Sequence, residues 1–152
     1  RDLPQSSRIQ IHHYGKAHSP EWAEQARAEM AINPRYTWHG EIAHHQVRQV
    51  YQRSNVLVLP SRMEGGANVI SEAVAAGLPV IASEIDGSVG LLGADYEGYY
   101  PVGSESALCQ LLMRVESDRA FYQQLEQACI ALQARFTPER ESKAWQKLLG
   151  RL

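Results

Sequence analysis

The sequence predicts an α/β fold in which a parallel sheet carries helices on both faces. Short β-rich or apolar runs alternate with helical stretches along the chain, and only a few residues separate them. Such alternation with short connections is typical of doubly wound sheets. Two of the runs, 55–60 and 79–83, are apolar throughout, which favours strands that are covered on both faces.

The first half of the chain alternates strands with helices. The run over 8–14 alternates in polarity, and Gly15 ends it. Pro20 suits the first position of a helix, and Pro34 lies beyond that helix's end. The predicted elements are, in order, strand 8–14, helix 20–30, strand 36–38, helix 42–53, strand 55–60, helix 68–76 and strand 79–83.

The second half is predicted to be mainly helical after a long connection. Residues 84–102 are rich in Gly and Tyr, so we expect mostly loop, with one short strand over 99–101. Three helices then follow, over 105–116, 118–135 and 138–149. Trp22, Trp38 and Trp145 are interpreted as core or helix-packing residues, and the tyrosines between 96 and 100 as packing residues.

Composition indicates one globular domain of 152 residues, since 44% of them are hydrophobic and 21% are charged. The formal net charge of −2 and the lack of like-charge blocks argue against a nucleic-acid partner. No apolar run is as long as a bilayer span. Cys109 and Cys129 lie in apolar helical stretches, so we interpret them as reduced thiols of a cytoplasmic protein.

Residues 60–73, PSRMEGGANVISEA, form the segment most indicative of function. The pattern predicts a strand, a turn with Gly65 and Gly66, and a helix that begins near Ala67. Glycines permit positive φ and close approach of the backbone to a ligand. The N-terminus of a helix presents unpaired amides that suit a phosphate or diphosphate. Parallel α/β sheets bind ligands beyond the carboxyl ends of their strands, where this turn lies.

Glu64 and Glu72 flank the turn and the start of the helix. Eight residues of helix span about 12 Å, so the two carboxylates do not form a close acid pair. They could bind hydroxyl groups at opposite ends of a sugar nucleotide. By itself, however, such a segment is more often a plain loop followed by a solvated glutamate.

The stretch PSRMEGGANVISEAVAAGLPVIAS resembles the signature of the large family 4 (group 1) of retaining glycosyltransferases, which have the GT-B fold. The resemblance covers most of the chain and implies the Rossmann-like, nucleotide-sugar-binding C-terminal half of such an enzyme. It implies that Glu64 contacts the donor sugar and Glu72 the ribose. The other donor-binding residues that it implies are Gly65, Gly66, Ala67 and Asn68 at the phosphates, and His39 and Gly40 at the base-binding edge. Arg62 is a further candidate for a phosphate contact, although a surface role is the simpler interpretation.

The resemblance implies transfer of a sugar from a UDP-sugar to an acceptor, with retention at the anomeric carbon. It requires no metal and no cofactor apart from the donor substrate. The family's acceptor domain, and the Arg and Lys on the leaving diphosphate, would precede Arg1, so we expect residues 1–152 to be a truncated domain that is inactive alone. The strand edges at 9–13 and 56–59 would then pair directly or through a neighbouring chain.

Two segments depart from the broad family. The common EGFG turn is here EGGAN, without the aromatic residue, and the segment over 87–101 is also unusual. Together they resemble the selenosugar synthases of selenoneine biosynthesis. That narrower resemblance implies selenophosphate as the acceptor and a selenosugar phosphate as the product.

Three alternatives remain open. The pairs His12-His13 and His44-His45 suggest zinc, but adjacent residues of a strand point to opposite faces, and no cysteine or HExxH pattern accompanies them. A sugar-nucleotide epimerase of the same fold would need an acid and base around the sugar, which the sequence does not show clearly. A non-catalytic nucleotide-sugar-binding subunit is the third.

Overall fold

The computed structural model describes residues 2–137, 139, 142, 146–147 and 149–150. The chain forms two compact units, residues 1–50 and residues 51–152. The elements in chain order are β1 Ile11–Tyr14, α1 Pro20–Ile32, β2 Tyr36–Gly40, α2 His44–Arg53, β3 Leu57–Leu59, α3 Asn68–Ala75, β4 Val80–Ser83, α4 Asp86–Leu92, β5 Tyr99–Tyr100, α5 Glu105–Ser117 and α6 Arg119–Leu132, followed by a 3-10 turn over Gln133–Arg135. The helix predicted over 138–149 falls largely outside the described residues, and so does Trp145.

The fold class predicted from the sequence is confirmed, because every strand pairing is parallel and helices alternate with the strands. The described strands form two sheets, β1-β2 in the first unit and β3-β4-β5 in the second. Parallel pairing requires a crossover between strands, and α1, α3 and α4 supply the crossovers of the three strand pairs.

In the first unit, β1 and β2 pair from Ile11 opposite Tyr36 to Tyr14 opposite Gly40. Helix α1 packs against β2, and the Arg27 guanidinium lies 5.7 Å from the centre of the Trp38 ring. The Trp38 indole donates a hydrogen bond to the carbonyl oxygen of Gly15 at 3.0 Å. The packing role of Trp38 is thereby confirmed. The core interpretation of Trp22 is wrong, since this residue is 60% exposed on α1.

The core of the second unit lies between β4, α3 and α6. All four residues of β4 are buried, as predicted for a strand covered on both faces. The largest buried side chains around it include Ile70, Val74, Phe121 and Leu125, and burial of each stabilises the fold by about 1.5–3 kcal/mol. By contrast, β3 is only half-buried, because it is an edge strand whose partner among the described strands is β4 alone.

Tyr96 ties the loop before β5 to the start of β4. Its hydroxyl donates to the carbonyl oxygen of Val80 at 2.6 Å and accepts from the Val80 amide at 3.1 Å. Burial, reinforced by the nearby Cys129 sulfur, raises the pKa of Tyr96, so the hydroxyl stays protonated. Cys129 and Cys109 are both free cysteines, as predicted.

We expect Tyr96→Phe to destabilise the second unit, because the two polar groups of Val80 would then be buried without their partner. The expected loss is about 1–3 kcal/mol in the free energy of unfolding. Urea denaturation would measure it. Tyr122→Phe is the matched control, because the Tyr122 hydroxyl donates to the carbonyl oxygen of Asn55 at an exposed position. Equal losses in the two variants would contradict the interpretation.

The prediction of mainly loop over 84–102 is wrong in one respect, because α4 occupies Asp86–Leu92. This segment contains Gly87 and Gly90, and glycine disfavours a helix by about 1 kcal/mol per residue relative to alanine. Tertiary packing outweighs that preference, since Gly87, Ser88 and Leu92 are buried. The short strand predicted near 99–101 is present as β5.

Candidate functional site

The predicted turn connects β3 to α3 and is open to solvent. Residues 62–66 are all exposed, and Gly66 has a φ of +154°, a region that other residues rarely adopt. The carboxylate of Glu64 accepts a hydrogen bond from the hydroxyl of Ser61 at 2.8 Å. Glu64 is therefore oriented by its own turn while remaining accessible to a ligand.

The start of α3 is suited to an anion. Its N-cap residue is Ala67, whose methyl side chain makes no capping hydrogen bond to the first turn. A helix normally satisfies some of its first amides with a Ser, Thr, Asp or Asn at this position. The first turn contains Asn68 and Val69 and no acidic residue, so its partial positive charge faces the end of the exposed turn.

Glu72 is not a solvated helix residue. It is half-buried in α3, and its Oε2 accepts a hydrogen bond from the Tyr51 hydroxyl at 3.1 Å. Burial first, and then the negative charge of Glu72, raise the pKa of Tyr51, so this hydroxyl remains a donor at neutral pH. The interpretation of Glu72 as a solvated glutamate is therefore wrong.

Tyr51, Ser83 and Gly87 contact this segment and are not among the site residues predicted from the sequence. The Ser83 hydroxyl donates to the carbonyl oxygen of Ser61, and the backbone at Gly87 lies against the backbone of Glu64. Tyr51 and Ser83 are distant from the turn in sequence, so no local spacing indicated them. The only signal for Gly87 was its place in a glycine-rich segment after a buried strand, and that signal also fits an ordinary loop.

His39 and Gly40 belong to the first unit, at the carboxyl end of β2. The His39 ring stacks on the Tyr14 ring with centroids 4.5 Å apart and an interplanar angle of 9°. Its Nε2 lies 3.0 Å from Nδ1 of His12. Gly40 has a φ of +70°, and its carbonyl oxygen accepts a hydrogen bond from the Gly15 amide. The exposed His39 therefore lies in a small aromatic cluster.

In the first of the histidine pairs that suggested zinc, His12 and His13 contact different residues. The His13 Nδ1 lies 2.6 Å from the Tyr36 hydroxyl, and burial lowers the pKa of His13. Among the described residues, no group of three or more His, Cys, Asp or Glu side chains is arranged to hold a metal ion. Arg62 is exposed beside the turn.

These features define a class of protein: a parallel α/β fold with an uncapped helix N-terminus between two oriented carboxylates at the carboxyl end of a strand. The family model of glycosyl transferases group 1 matches residues 1–128. The chain belongs to this family and has the fold of GT-B glycosyltransferases.

The similar proteins described below are longer than this chain. Over 106 residues the chain is 29% identical to the protein provisionally assigned as the teichuronic acid biosynthesis glycosyltransferase TuaC of Bacillus subtilis (strain 168). That alignment covers 69% of this chain and 27% of TuaC. The chain therefore spans little more than a quarter of this curated relative.

Among solved structures, sucrose-phosphate synthase from Thermosynechococcus elongatus aligns with a TM-score of 0.73 and 27% identity, over 94% of this chain and 39% of that one. A mutant of S. aureus TarM in complex with Fondaparinux, alpha-GlcNAc-glycerol and UDP aligns with a TM-score of 0.74, over 92% of this chain and 29% of that one. Because the two sequences are only 15% identical, this match shows a likeness of fold alone. No helix in the described part of the chain is both long and apolar enough to cross a membrane.

Proposed function

We propose that this chain is the donor-binding domain of a retaining glycosyltransferase that uses a UDP-sugar. One observation carries the proposal: the uncapped N-terminus of α3 lies between two carboxylates, Glu64 and Glu72, and a hydroxyl group orients each of them. A diphosphate fits the helix N-terminus, and carboxylates are strong acceptors for sugar and ribose hydroxyls.

Each residue has a proposed role. Glu64 accepts a hydrogen bond from the transferred sugar, and Glu72 from the ribose. The diphosphate is bound by the backbone amides after the turn at Gly65, with Arg62 available beside it. The proposed diphosphate contacts are Gly66, Ala67 and Asn68, and the proposed base-binding residues are His39 and Gly40.

The proposed catalysis is mainly electrostatic. As the bond from the anomeric carbon to the diphosphate oxygen breaks, negative charge develops on the departing UDP. Amides and a helix dipole already aimed at that charge stabilise it without reorganisation. The TarM structure with bound UDP has the same fold, which supports UDP as the nucleotide here.

We place the acceptor-binding domain outside residues 1–152. The chain spans 27% of TuaC and 39% of the sucrose-phosphate synthase, so most of the length of these relatives has no counterpart in it. The proposed activity therefore belongs to a complete enzyme that contains this domain.

UDP is expected to perturb the amides of residues 64–72. The chain would be labelled with ¹⁵N, and chemical shifts would be followed as UDP is added, with uridine as the control that lacks phosphates. We expect the largest changes from Gly66 to Val69 with UDP and much smaller ones with uridine, because the helix N-terminus binds the diphosphate. Changes confined to α5 and α6 would contradict the proposal.

The acceptor that we propose is selenophosphate. The support is the sequence of the EGGAN turn and of residues 87–101. In this reaction the selenium atom forms a bond to the anomeric carbon, and UDP leaves with the electron pair of the broken carbon–oxygen bond. Incubating the complete enzyme with UDP-sugars and selenophosphate, followed by mass spectrometry, would detect the selenosugar phosphate. Transfer to sugar acceptors only would reject selenophosphate and leave the glycosyltransferase function intact.

Product analysis also separates the rival functions. A sugar-nucleotide epimerase would change the sugar of the donor without any acceptor. A non-catalytic subunit would bind UDP and leave every UDP-sugar unchanged.

A further inference from the structure

The end of β4 and the start of α4 contact the turn that contains Glu64. Ser83, the last residue of β4, is 1% exposed. Its hydroxyl donates to the carbonyl oxygen of Ser61 and lies 3.4 Å from the carbonyl oxygen of Leu59. A buried hydroxyl of β4 thus joins the end of β3 to the first residue of the turn.

Gly87 supports the same turn a few residues further along. It is buried at the start of α4. A Cβ at this position would overlap the carbonyl oxygen of Glu64 and would lie 3.2 Å from the amide nitrogen of Gly66. Gly87 is not among the glycines with positive φ. Glycine is needed here because there is no space for a side chain, and the atoms that it would displace are backbone atoms of the turn.

These contacts continue to the carboxylate itself. Ser83 holds the carbonyl group of Ser61, and the Ser61 hydroxyl donates to Oε1 of Glu64 at 2.8 Å. Gly87 contacts the backbone of Glu64 directly. We infer that Ser83 and Gly87 are positioning residues, which hold the Glu64 turn where its carboxylate meets the transferred sugar. The inference rests on the proposed function of Glu64.

The same helix offers two matched controls. Gly90 is exposed in α4, and a Cβ there would meet no atom within 4 Å. Ser88 is buried, and its hydroxyl has no hydrogen-bond partner among the residues that the structure describes. Gly87→Ala is therefore compared with Gly90→Ala, and Ser83→Ala with Ser88→Ala.

The expected effect is on turnover more than on nucleotide binding. Gly87→Ala must displace the turn, and an error of about 1 Å in the position of a reacting group lowers kcat by about a hundredfold. Ser83→Ala removes one hydrogen bond worth about 1 kcal/mol, so we expect kcat to fall about fivefold. Ser83→Ala should bind UDP within about threefold of the original chain, since UDP lacks the sugar that Glu64 contacts. Gly87→Ala also shifts the Gly66 amide, so we expect it to weaken UDP binding as well as turnover.

The experiment measures kcat for the complete enzyme with its UDP-sugar, and the Kd of UDP by calorimetry, for all four variants. Loss of kcat in Gly87→Ala and Ser83→Ala, with normal turnover in both controls, supports the inference. Amide shifts at residues 61–66 should change in the same two variants only. Should Gly87→Ala not fold, as judged by circular dichroism, the comparison of Ser83→Ala with Ser88→Ala decides.

Two results would overturn the inference. One is turnover of Gly87→Ala and Ser83→Ala equal to that of their controls. The other is a parallel loss of kcat and of UDP affinity in Ser83→Ala, which indicates a general structural role. Failure of the proposed function is a different outcome, because the unaltered enzyme would then transfer no sugar from any UDP-sugar.

Discussion

Replacing Glu64 by glutamine is expected to lower the kcat of the complete enzyme about a hundredfold, equivalent to about 2.7 kcal/mol in the activation free energy. Glutamine keeps the size of the side chain and can still accept the hydrogen bond from Ser61. It loses the negative charge that strengthens the bond to a sugar hydroxyl. The transferred sugar changes most in the transition state, so an interaction with it appears mainly in kcat.

Steady-state kinetics over a range of UDP-sugar concentrations would measure this effect. Asp95→Asn is the control, because Asp95 is an exposed carboxylate of the same unit that lies outside the turn. We expect normal kcat and KM for it. A Glu64→Gln enzyme with unchanged kcat and a raised KM would show that Glu64 contributes only uniform binding.

Replacing Glu72 by alanine is expected to raise the KM for the UDP-sugar by about ten- to a hundredfold, because hydrogen bonds to charged groups contribute about 1.5–3 kcal/mol. The ribose is remote from the anomeric carbon, so its contact is equally strong in the ground and transition states and kcat should change little. Tyr51→Phe should also raise the KM and leave kcat little changed, but the rise in KM should be smaller, since Tyr51 acts only by orienting Glu72.

The control for Glu72 is Glu126→Ala, which changes a half-buried glutamate on α6. Because UDP contains the ribose, the Kd of UDP alone should rise in Glu72→Ala as the KM does. This separates the two carboxylates, since Glu64→Gln should leave the Kd of UDP near its original value. Equal effects of both substitutions on kcat and KM would remove the distinction between a sugar and a ribose contact.

Local patterns were sufficient to predict most elements. Pro20 and the apolar run 79–83 correspond to the start of α1 and to the buried strand β4. The site segment could also be predicted, because its glycines and glutamates all lie within the nine residues 64–72. The helix α4 could not be predicted, since its glycines disfavour a helix, and the burial of Gly87, Ser88 and Leu92 stabilises it.

The sequence by itself determined the α/β class and the place of the turn after β3, because these follow from periodicity and from the glycines. The resemblance of the segment to group 1 glycosyltransferases selected Glu64 and Glu72 as candidates. The tertiary structure alone decided what holds those carboxylates. Tyr51 reaches Glu72, and Ser83 and Gly87 reach the Glu64 turn, from elements that are separate in the sequence. Hydrogen bonds and close contacts of this kind depend on how strands and helices pack, and packing is not encoded in any local pattern.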